Sequence, residues 1–332
     1  MNSAIGRIYV TGAAGMIGSN LCQALLQDGH SVVGIDNLWR GAVRSIDQLK
    51  AHPNFEFRHA DIIADEDWFA DLGSDSVLFH TADIVAGIGY VFSNEWRVFQ
   101  KNVLINTKIA RIVNQLQPRQ LIYLGTACSY PQGLQRSVET SVLSEGVKFP
   151  ADPESGYGWS KLIGEVEFTL AVKGTRTRLT TLDLHNVYGW PCKYDDGTAQ
   201  VIPSLINKAL TSLDRKLVVW GDGRQGRAFI HVRDVVQGAQ KAIGYDGEFA
   251  TFMLGPDRCT SIREVAELIQ QHPRVNIDEI VYDTTKPTGD IGRFADASRA
   301  RAELGWEPKV PFEAGLTELI DQIIDDPMRN AA

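Results

Sequence analysis

The stretch that most limits what this chain can fold into lies at residues 8–27. It reads Ile8-Tyr9-Val10-Thr11-Gly12-Ala13-Ala14-Gly15-Met16-Ile17-Gly18 and continues into a helix-forming run at 19–27. An apolar strand, a turn built on three glycines and a helix opening straight out of it fit few architectures. Gly12 permits a tight turn, Gly15 lets a ligand approach the backbone, and Gly18 lets the helix pack close on the strand. Strand-like runs at 7–10, 31–35, 77–81, 120–124 and 179–184 alternate with amphipathic stretches, clearest at 94–117 and 157–172. Such alternation means βαβ units and a parallel sheet with helices on both faces. Ile8-Tyr9-Val10 and Val77-Leu78-Phe79 are continuously apolar, as strands covered on both sides must be. The expected fold class is α/β with a doubly wound parallel sheet.

After about Asn186 the rhythm changes. Pro191, Gly197, Pro203, Gly221, Gly223, Gly226 and Pro256 punctuate shorter elements, and helical runs at 261–270 and 311–325 close the chain. The 332 residues therefore divide into a first domain at 1–185 and a smaller α+β substrate domain at 186–332, with a segment at 228–250, opening on the strand-like run 228–232, a candidate to return to the first. Lys and Arg total 33 against 41 Asp and Glu, a net charge of −8 that argues against a general nucleic-acid binder. No apolar run approaches the roughly 18–20 residues that span a bilayer, and the N-terminus enters a strand without a secretory pattern. Cys22, Cys128, Cys192 and Cys259 are widely spaced, which suits neither a zinc site nor a disulfide framework. A cytoplasmic protein without a metal site, a membrane segment or a nucleic-acid partner is expected.

The glycine turn has a definite chemistry. A helix N-terminus offers free N–H groups and a partial positive charge to phosphates, so Gly12, Gly15, Met16, Ile17 and Gly18 are expected at a dinucleotide pyrophosphate in a Rossmann-type fold. The second strand ends at Asp36-Asn37, 18 residues beyond Gly18. A carboxylate there accepts hydrogen bonds from ribose hydroxyls and repels a 2′-phosphate, which favours NAD over NADP. Arg40 and Arg44, just downstream, temper that preference. Asp61 and Ile62 are candidates to border the adenine.

Tyr157-Gly158-Trp159-Ser160-Lys161 places Tyr157 and Lys161 four apart, on one helix face. An ammonium beside a phenol favours phenolate, which can take a proton from a sugar hydroxyl while a nicotinamide takes the hydride. Thr126 stands 31 residues upstream at the end of a strand, the edge that faces the ligand crevice in a doubly wound sheet.

Together these motifs resemble the extended short-chain dehydrogenase/reductase superfamily, in its NAD-dependent nucleotide-sugar epimerase/dehydratase branch. The second half is similar too, with Asn186-Val187-Tyr188-Gly189, then Trp220-Gly221-Asp222-Gly223 followed by Arg227, then Gly289-Asp290-Ile291-Gly292-Arg293 and Leu304-Gly305-Trp306. The resemblance implies NAD as cofactor and a nucleotide-diphosphate sugar as substrate. It adds Thr81, Ala82 and Asn102 to the cofactor site. It places Gly87, Ser93, Asn186, Trp220, Arg227 and Arg293 on the substrate, the two arginines as bidentate clamps on its diphosphate. It also implies a homodimer through the helices at 94–117 and 157–172.

Within the branch, Gly87-Ile88-Gly89-Tyr90 with Ser93, Ala127-Cys128-Ser129-Tyr130-Pro131 and Leu184-His185-Asn186 are most similar to the GDP-mannose 3,5-epimerase group. In the 4,6-dehydratases a Glu removes the C5 proton from the position that Cys128 holds here. A thiol, ordinarily near pKa of about 8.5, can serve the same purpose once oxidation at C4 acidifies the C3 and C5 protons. The 3,5-epimerases use a Lys as the second proton-transfer group, and alignment on Pro203 puts Val201 there. Tyr194, Asp195 and Asp196 are candidate substitutes. A 4-epimerase, a dehydratase, a ketoreductase and, from another class, a dinucleotide-binding sensor without catalysis are the alternatives.

Overall fold

The computed structural model describes residues 5–137, 141–286, 291–327 and 329. The chain begins β1 (Ile8–Thr11), α1 (Met16–Gln27), β2 (Val32–Asp36), α2 (Arg44–Lys50), β3 (Phe55–His59) and β4 (Val77–His80). It continues through α3 (Ile88–Ser93), α4 (Glu95–Leu116), β5 (Gln120–Thr126), β6 (Val142–Leu143), α5 (Gly156–Val172) and β7 (Arg178–Leu184). Next come β8 (Asn186–Tyr188), α6 (Val201–Thr211), β9 (Lys216–Trp220), β10 (Gly226–Arg227), β11 (Phe229–His231), α7 (Val232–Ala242) and β12 (Phe249–Leu254). The last elements are β13 (Thr260–Ser261), α8 (Ile262–Gln271), β14 (Glu279–Asp283), β15 (Phe294–Ala295) and α9 (Phe312–Ile324). Gly289 and Asp290 of the motif ending at Arg293 lie outside the described residues.

Seven strands form one sheet in the order β12-β7-β5-β4-β1-β2-β3, every pairing parallel. Side chains alternate between its faces. Ile8, Val10, Val77 and Phe79 pack toward Leu21 and Leu25 of α1 and Val235 and Ala239 of α7. Tyr9, Leu78, Leu121 and Tyr123 pack toward Ile105 and Ile109 of α4 and Phe168 and Val172 of α5. Burial on both faces is why β1, β4 and β5 read as unbroken apolar runs. Strand order reverses between β1 and β4, whose ends Thr11 and His80 are register partners. Ligands bind beyond the carboxyl ends of strands at such a switch point.

Sequence patterning brings the run 228–232 back to the first domain, and the structure refines this. Its strand, β11, pairs with β8 in a separate two-stranded ribbon. The following helix α7 packs on the α1 face, and β12 adds the outermost strand of the large sheet beside β7. A local strand pattern carries no information about its pairing partner. The remaining C-terminal elements enclose their own core, in which Ile202, Leu205, Leu217, Val265 and Leu316 are buried. Among the described residues no helix is long and apolar enough to cross a membrane, and no group of three or more His, Cys, Asp or Glu is placed to hold a metal.

Candidate active site

A cavity of about 830 Å³ lies over the switch point, between the large sheet and the C-terminal core. At one end stands the glycine turn. Gly12 has φ +71°, and a Cβ at Gly18 would lie 2.1 Å from the carbonyl oxygen of Gly12, so only glycine allows this approach of helix to turn. Gly12, Gly15, Met16, Ile17 and Gly18 all line the cavity, as do Asp36, Asn37, Asp61, Ile62, Thr81 and Ala82. Asp36 accepts from the backbone N–H of Ala14 at 2.9 Å and of Leu38 at 2.7 Å, tying the end of β2 to the turn. Burial raises its carboxyl above the ordinary range. The Asn37 amide donates to Asp61 at 2.8 Å and joins the ends of β2 and β3.

The two downstream arginines are engaged elsewhere. Arg40 donates to the carbonyls of Val85 at 2.6 Å and Thr198 at 2.9 Å, while Arg44 pairs with Asp326 at 2.9 Å. Arg40 thereby latches the loop after β4 to the segment before α6. The backbone N–H of Gly87 donates to the carbonyl of Thr198 at 2.9 Å in the same seam.

The catalytic candidates converge on the cavity from β5 and α5. Thr126 ends β5, and its hydroxyl accepts from the N–H of Cys128 at 3.2 Å, capping the single turn Ala127–Ser129. Ser155 caps α5 by accepting from the N–H of Gly158, so Tyr157 sits in the helix's first turn. Thr126, Cys128 and Tyr157 line the wall. Lys161 lies behind it, with its ammonium 4.4 Å from the centre of the Tyr123 ring. A residue not among the sequence candidates joins the pair: Oδ2 of Asp83 accepts from the Tyr157 hydroxyl at 3.2 Å and stands 3.2 Å from the Lys161 ammonium.

This arrangement adds a carboxylate to the pair expected from YxxxK. The phenol of Tyr157 is held far above its usual range, first by burial and then by the Asp83 carboxylate. The spacing puts Tyr157 and Lys161 on one face of α5 but is silent about a loop carboxylate that meets them both.

Below the turn lies a buried ionic cluster. Lys148 reaches Glu165 of α5 at 2.5 Å and Asp183 of β7 at 2.6 Å. Tyr130, two residues beyond Cys128, donates to Asp183 at 2.8 Å, and Thr251 donates to Glu165 at 3.0 Å. Burial, with Asp183 next, raises the Glu165 carboxyl.

Gly87, Asn186, Trp220, Arg227 and Arg293, expected on the substrate, also line the cavity. Arg293 is buried, and Nη2 donates to Sγ of Cys128 at 3.1 Å while Nη1 donates to Gln135. His185 is also on the wall. It is buried, with no hydrogen-bond partner on either ring nitrogen among the described residues. Burial, with Arg293 and Arg227 next, pushes its imidazole down to about 3.

Besides Lys161, two expected site residues are not on the wall. Asn102 is buried and holds the loop after β4 from behind, accepting from the N–H of Ile84 at 2.6 Å and donating to its carbonyl at 3.2 Å. Ser93 is exposed at the end of α3. Of the stand-ins for the second proton-transfer group, Tyr194 is buried with its hydroxyl on Asp326 at 2.6 Å, and Asp195 does not line the cavity. Asp196 does, as do Val201 and Lys193, the latter eight residues before Val201.

The sequence pattern of the "NAD dependent epimerase/dehydratase family" matches residues 8–253. The chain is 28% identical over 311 residues to GDP-mannose 3,5-epimerase 1 of Oryza sativa subsp. indica, covering 93% of this chain and 79% of that protein. It is 31% identical over 319 residues to UDP-glucose 4-epimerase of Mycolicibacterium smegmatis, covering 95% and 97%. Among solved structures it is similar to UDP-glucuronic acid 4-epimerase from Bacillus cereus in complex with UDP-glucuronic acid and NAD. That likeness has a TM-score of 0.82 and 25% identity over 96% of this chain and 99% of that one. A glycine cradle at a strand-order reversal and a family match across the whole large sheet lead to one assignment: this chain belongs to the NAD-dependent epimerase/dehydratase family, enzymes of nucleotide-sugar chemistry.

Proposed function

We propose that the chain epimerises a nucleotide-diphosphate sugar through transient oxidation at C4, with Cys128 moving the proton at C3 or C5. The observation that carries this reading is the placement of Cys128 on the cavity wall beside Thr126 and Tyr157, its sulfur hydrogen-bonded by Arg293 at 3.1 Å. A thiol there can act at a carbon next to the C4 ketone. In this reading residues 1–185 mainly serve the cofactor and 186–332 the sugar nucleotide.

The cradle in which a Cβ at Gly18 would strike Gly12 fits a dinucleotide pyrophosphate. NAD would be held by Gly12, Gly15, Met16, Ile17 and Gly18, with Asp36 on the ribose hydroxyls, Asn37, Asp61 and Ile62 around the adenine, and Thr81 and Ala82 farther along. When bound, it supplies a reversible hydride acceptor. Asn102 contributes by holding the loop, and Lys161 by holding the Tyr157–Asp83 group. Thr126 and Tyr157 orient the C4 hydroxyl and take its proton. Asn186, Trp220 and Gly87 position the nucleotide sugar, and Arg227 and Arg293 neutralise its diphosphate. Ser93 has no place in this arrangement.

A plain 4-epimerase is the second reading, favoured by Val201 at the position of the 3,5-epimerase Lys and by the 31% identity to a UDP-glucose 4-epimerase. Apolar side chains of α5 left exposed at Trp159, Ile163, Val166 and Leu170 support a homodimer through α4 and α5. Four free cysteines suit a cytoplasmic location.

The test is to incubate the purified protein and NAD with GDP-, UDP- and dTDP-sugars in D₂O. Deuterium at C3 or C5 of the product, lost in Cys128→Ala, is the expected result. Turnover without solvent deuterium would give the 4-epimerase reading, and full activity in Tyr157→Phe would remove the C4 mechanism altogether.

A further inference from the structure

Arg293 reaches the cavity from a backbone held alongside the segment that follows the turn Ala127–Ser129. Phe294 of β15 is in register with Val142 of β6, and the N–H of Gly292 donates to the carbonyl of Gln135 at 3.4 Å. The thiol of Cys259 donates to the carbonyl of Arg293 at 2.9 Å. From there the buried guanidinium turns back toward Cys128, with Nη2 donating to its sulfur at 3.1 Å and Nη1 donating to Oε1 of Gln135. Gln135 is itself buried and stands behind the cavity wall. Its amide can face only one way. Nε2 donates to the carbonyls of Tyr130 at 3.0 Å and Pro131 at 3.3 Å, groups that only accept, so Oε1 is the atom left for Arg293. Tyr130 is fixed in turn by its hydroxyl on Asp183 at 2.8 Å.

We propose that Gln135 is the positioning residue for proton transfer by Cys128: it aims the guanidinium of Arg293 at the sulfur, and Arg293 holds the sulfur toward the carbon beside the C4 ketone. This rests on the Cys128 reading above and names the residue that serves it from behind the wall. A guanidinium is a planar fork of donors with no acceptor. Holding Nη1 therefore sets the direction of Nη2, and the sulfur must be the acceptor in their contact. As the thiolate takes the proton at C3 or C5, the C–H bond breaks and an S–H bond forms. The electron pair stays on the sugar as the enolate of the ketone. Arg293 thus acts on Cys128 as well as on the diphosphate.

The backbone of Cys128 is already fixed without Arg293. Its N–H donates to the Thr126 hydroxyl at 3.2 Å. The first turn of α5 packs directly on its carbonyl, since a Cβ at Gly158 would lie 2.2 Å from that oxygen. What these contacts leave open is the direction of the sulfur about the Cα–Cβ bond, and the contact with Nη2 sets it. A group that moves a proton must be held closely to its productive geometry, and a side chain locked by a second hydrogen-bonded neighbour meets that need. Methionine at position 135 would keep the bulk and leave the charge of Arg293 in place, but would remove the atom that aims it.

The first arm of the experiment needs no sugar. The full-length protein is treated with iodoacetamide, and alkylation of Cys128 is followed by peptide mass spectrometry against that of Cys192. In Gln135→Met the rate at Cys128 should fall about fivefold or more, because a cation aimed at sulfur promotes its reaction as thiolate. Arg293→Lys, which keeps a charge without the planar fork, should slow it alike, and Gln135→Glu, which keeps an acceptor for Arg293, should slow it less. The second arm uses whichever sugar nucleotide turns over, in D₂O with NAD. Gln135→Met should still form bound NADH on mixing, while deuterium at C3 or C5 falls about tenfold or more. Unchanged or faster alkylation of Cys128 in a Gln135→Met protein that melts with the parent overturns the proposal, as do equal losses of NADH formation and deuterium. Turnover by the parent without solvent deuterium would instead remove the Cys128 reading, a failure told apart because the alkylation arm still reads the aim of Arg293.

Discussion

Replacing Lys148 with methionine removes a cation from a buried group that includes Glu165 and Asp183, 2.5 and 2.6 Å from its ammonium. Methionine fills a similar volume, so the perturbation is chiefly electrostatic. Lys148 and Asp183 are almost wholly buried, and breaking a buried pair by removing one partner costs about 3–5 kcal/mol. Unfolding entropy of about 2.1 cal/mol/K per residue implies roughly 0.7 kcal/mol/K for a chain this long, so the expected fall in Tm at pH of about 8 is roughly 4–7 °C. The pH dependence has a definite sign. The Glu165 carboxyl is already raised in the folded protein, by burial and then by Asp183. A raised carboxyl contributes stability below its unfolded value and loses it as pH rises through the folded one. Without Lys148 it rises further, so the variant's deficit should shrink as the pH is lowered to about 5.5, toward protonation of Glu165. Calorimetric melting of both proteins at the two pH values measures this, and Lys148→Met with Glu165→Gln should recover part of the loss. A variant melting within about 1 °C of the parent at the higher pH, or a deficit that does not shrink on acidification, would refute the reasoning. Because Tyr130 hangs from Asp183 at 2.8 Å, kcat should fall with the stability.

Two further outcomes follow from close packing. In Gly87→Ala the new methyl would lie 2.2 Å from the carbonyl oxygen of Ala199. The seam between the loop after β4 and the segment before α6 must then open, and turnover should fall about tenfold or more while NAD affinity, measured by calorimetry, stays close to the parent's. Val166→Glu with Leu170→Glu places two charges on the exposed apolar stripe of α5; light scattering should show a monomer, and an unchanged mass would move the dimer interface elsewhere.

How much could be read without coordinates is best seen residue by residue. The glycine turn, Asp36, Thr126, Tyr157 and Lys161 each belong to a pattern of short range, a strand end or a helix opening, and such patterns survive in one dimension. Asp83 does not, because its significance arises only where the loop after β4 faces α5, 74 residues away. Lys148 reads as one more surface lysine until the fold closes it over two carboxylates. Ser93 looks like part of a sugar loop, yet α3 turns it to solvent.

The sequence by itself determined the doubly wound sheet, the glycine turn and the family, because backbone conformation and binary patterning are local and repeat with known periods. Only the tertiary structure decided which strand completes the sheet, that Arg40 and Arg44 are tied to the protein, and that a carboxylate meets both Tyr157 and Lys161. Those are matters of distance between segments remote in the chain. At a few ångströms in a buried site, distance controls where a proton resides.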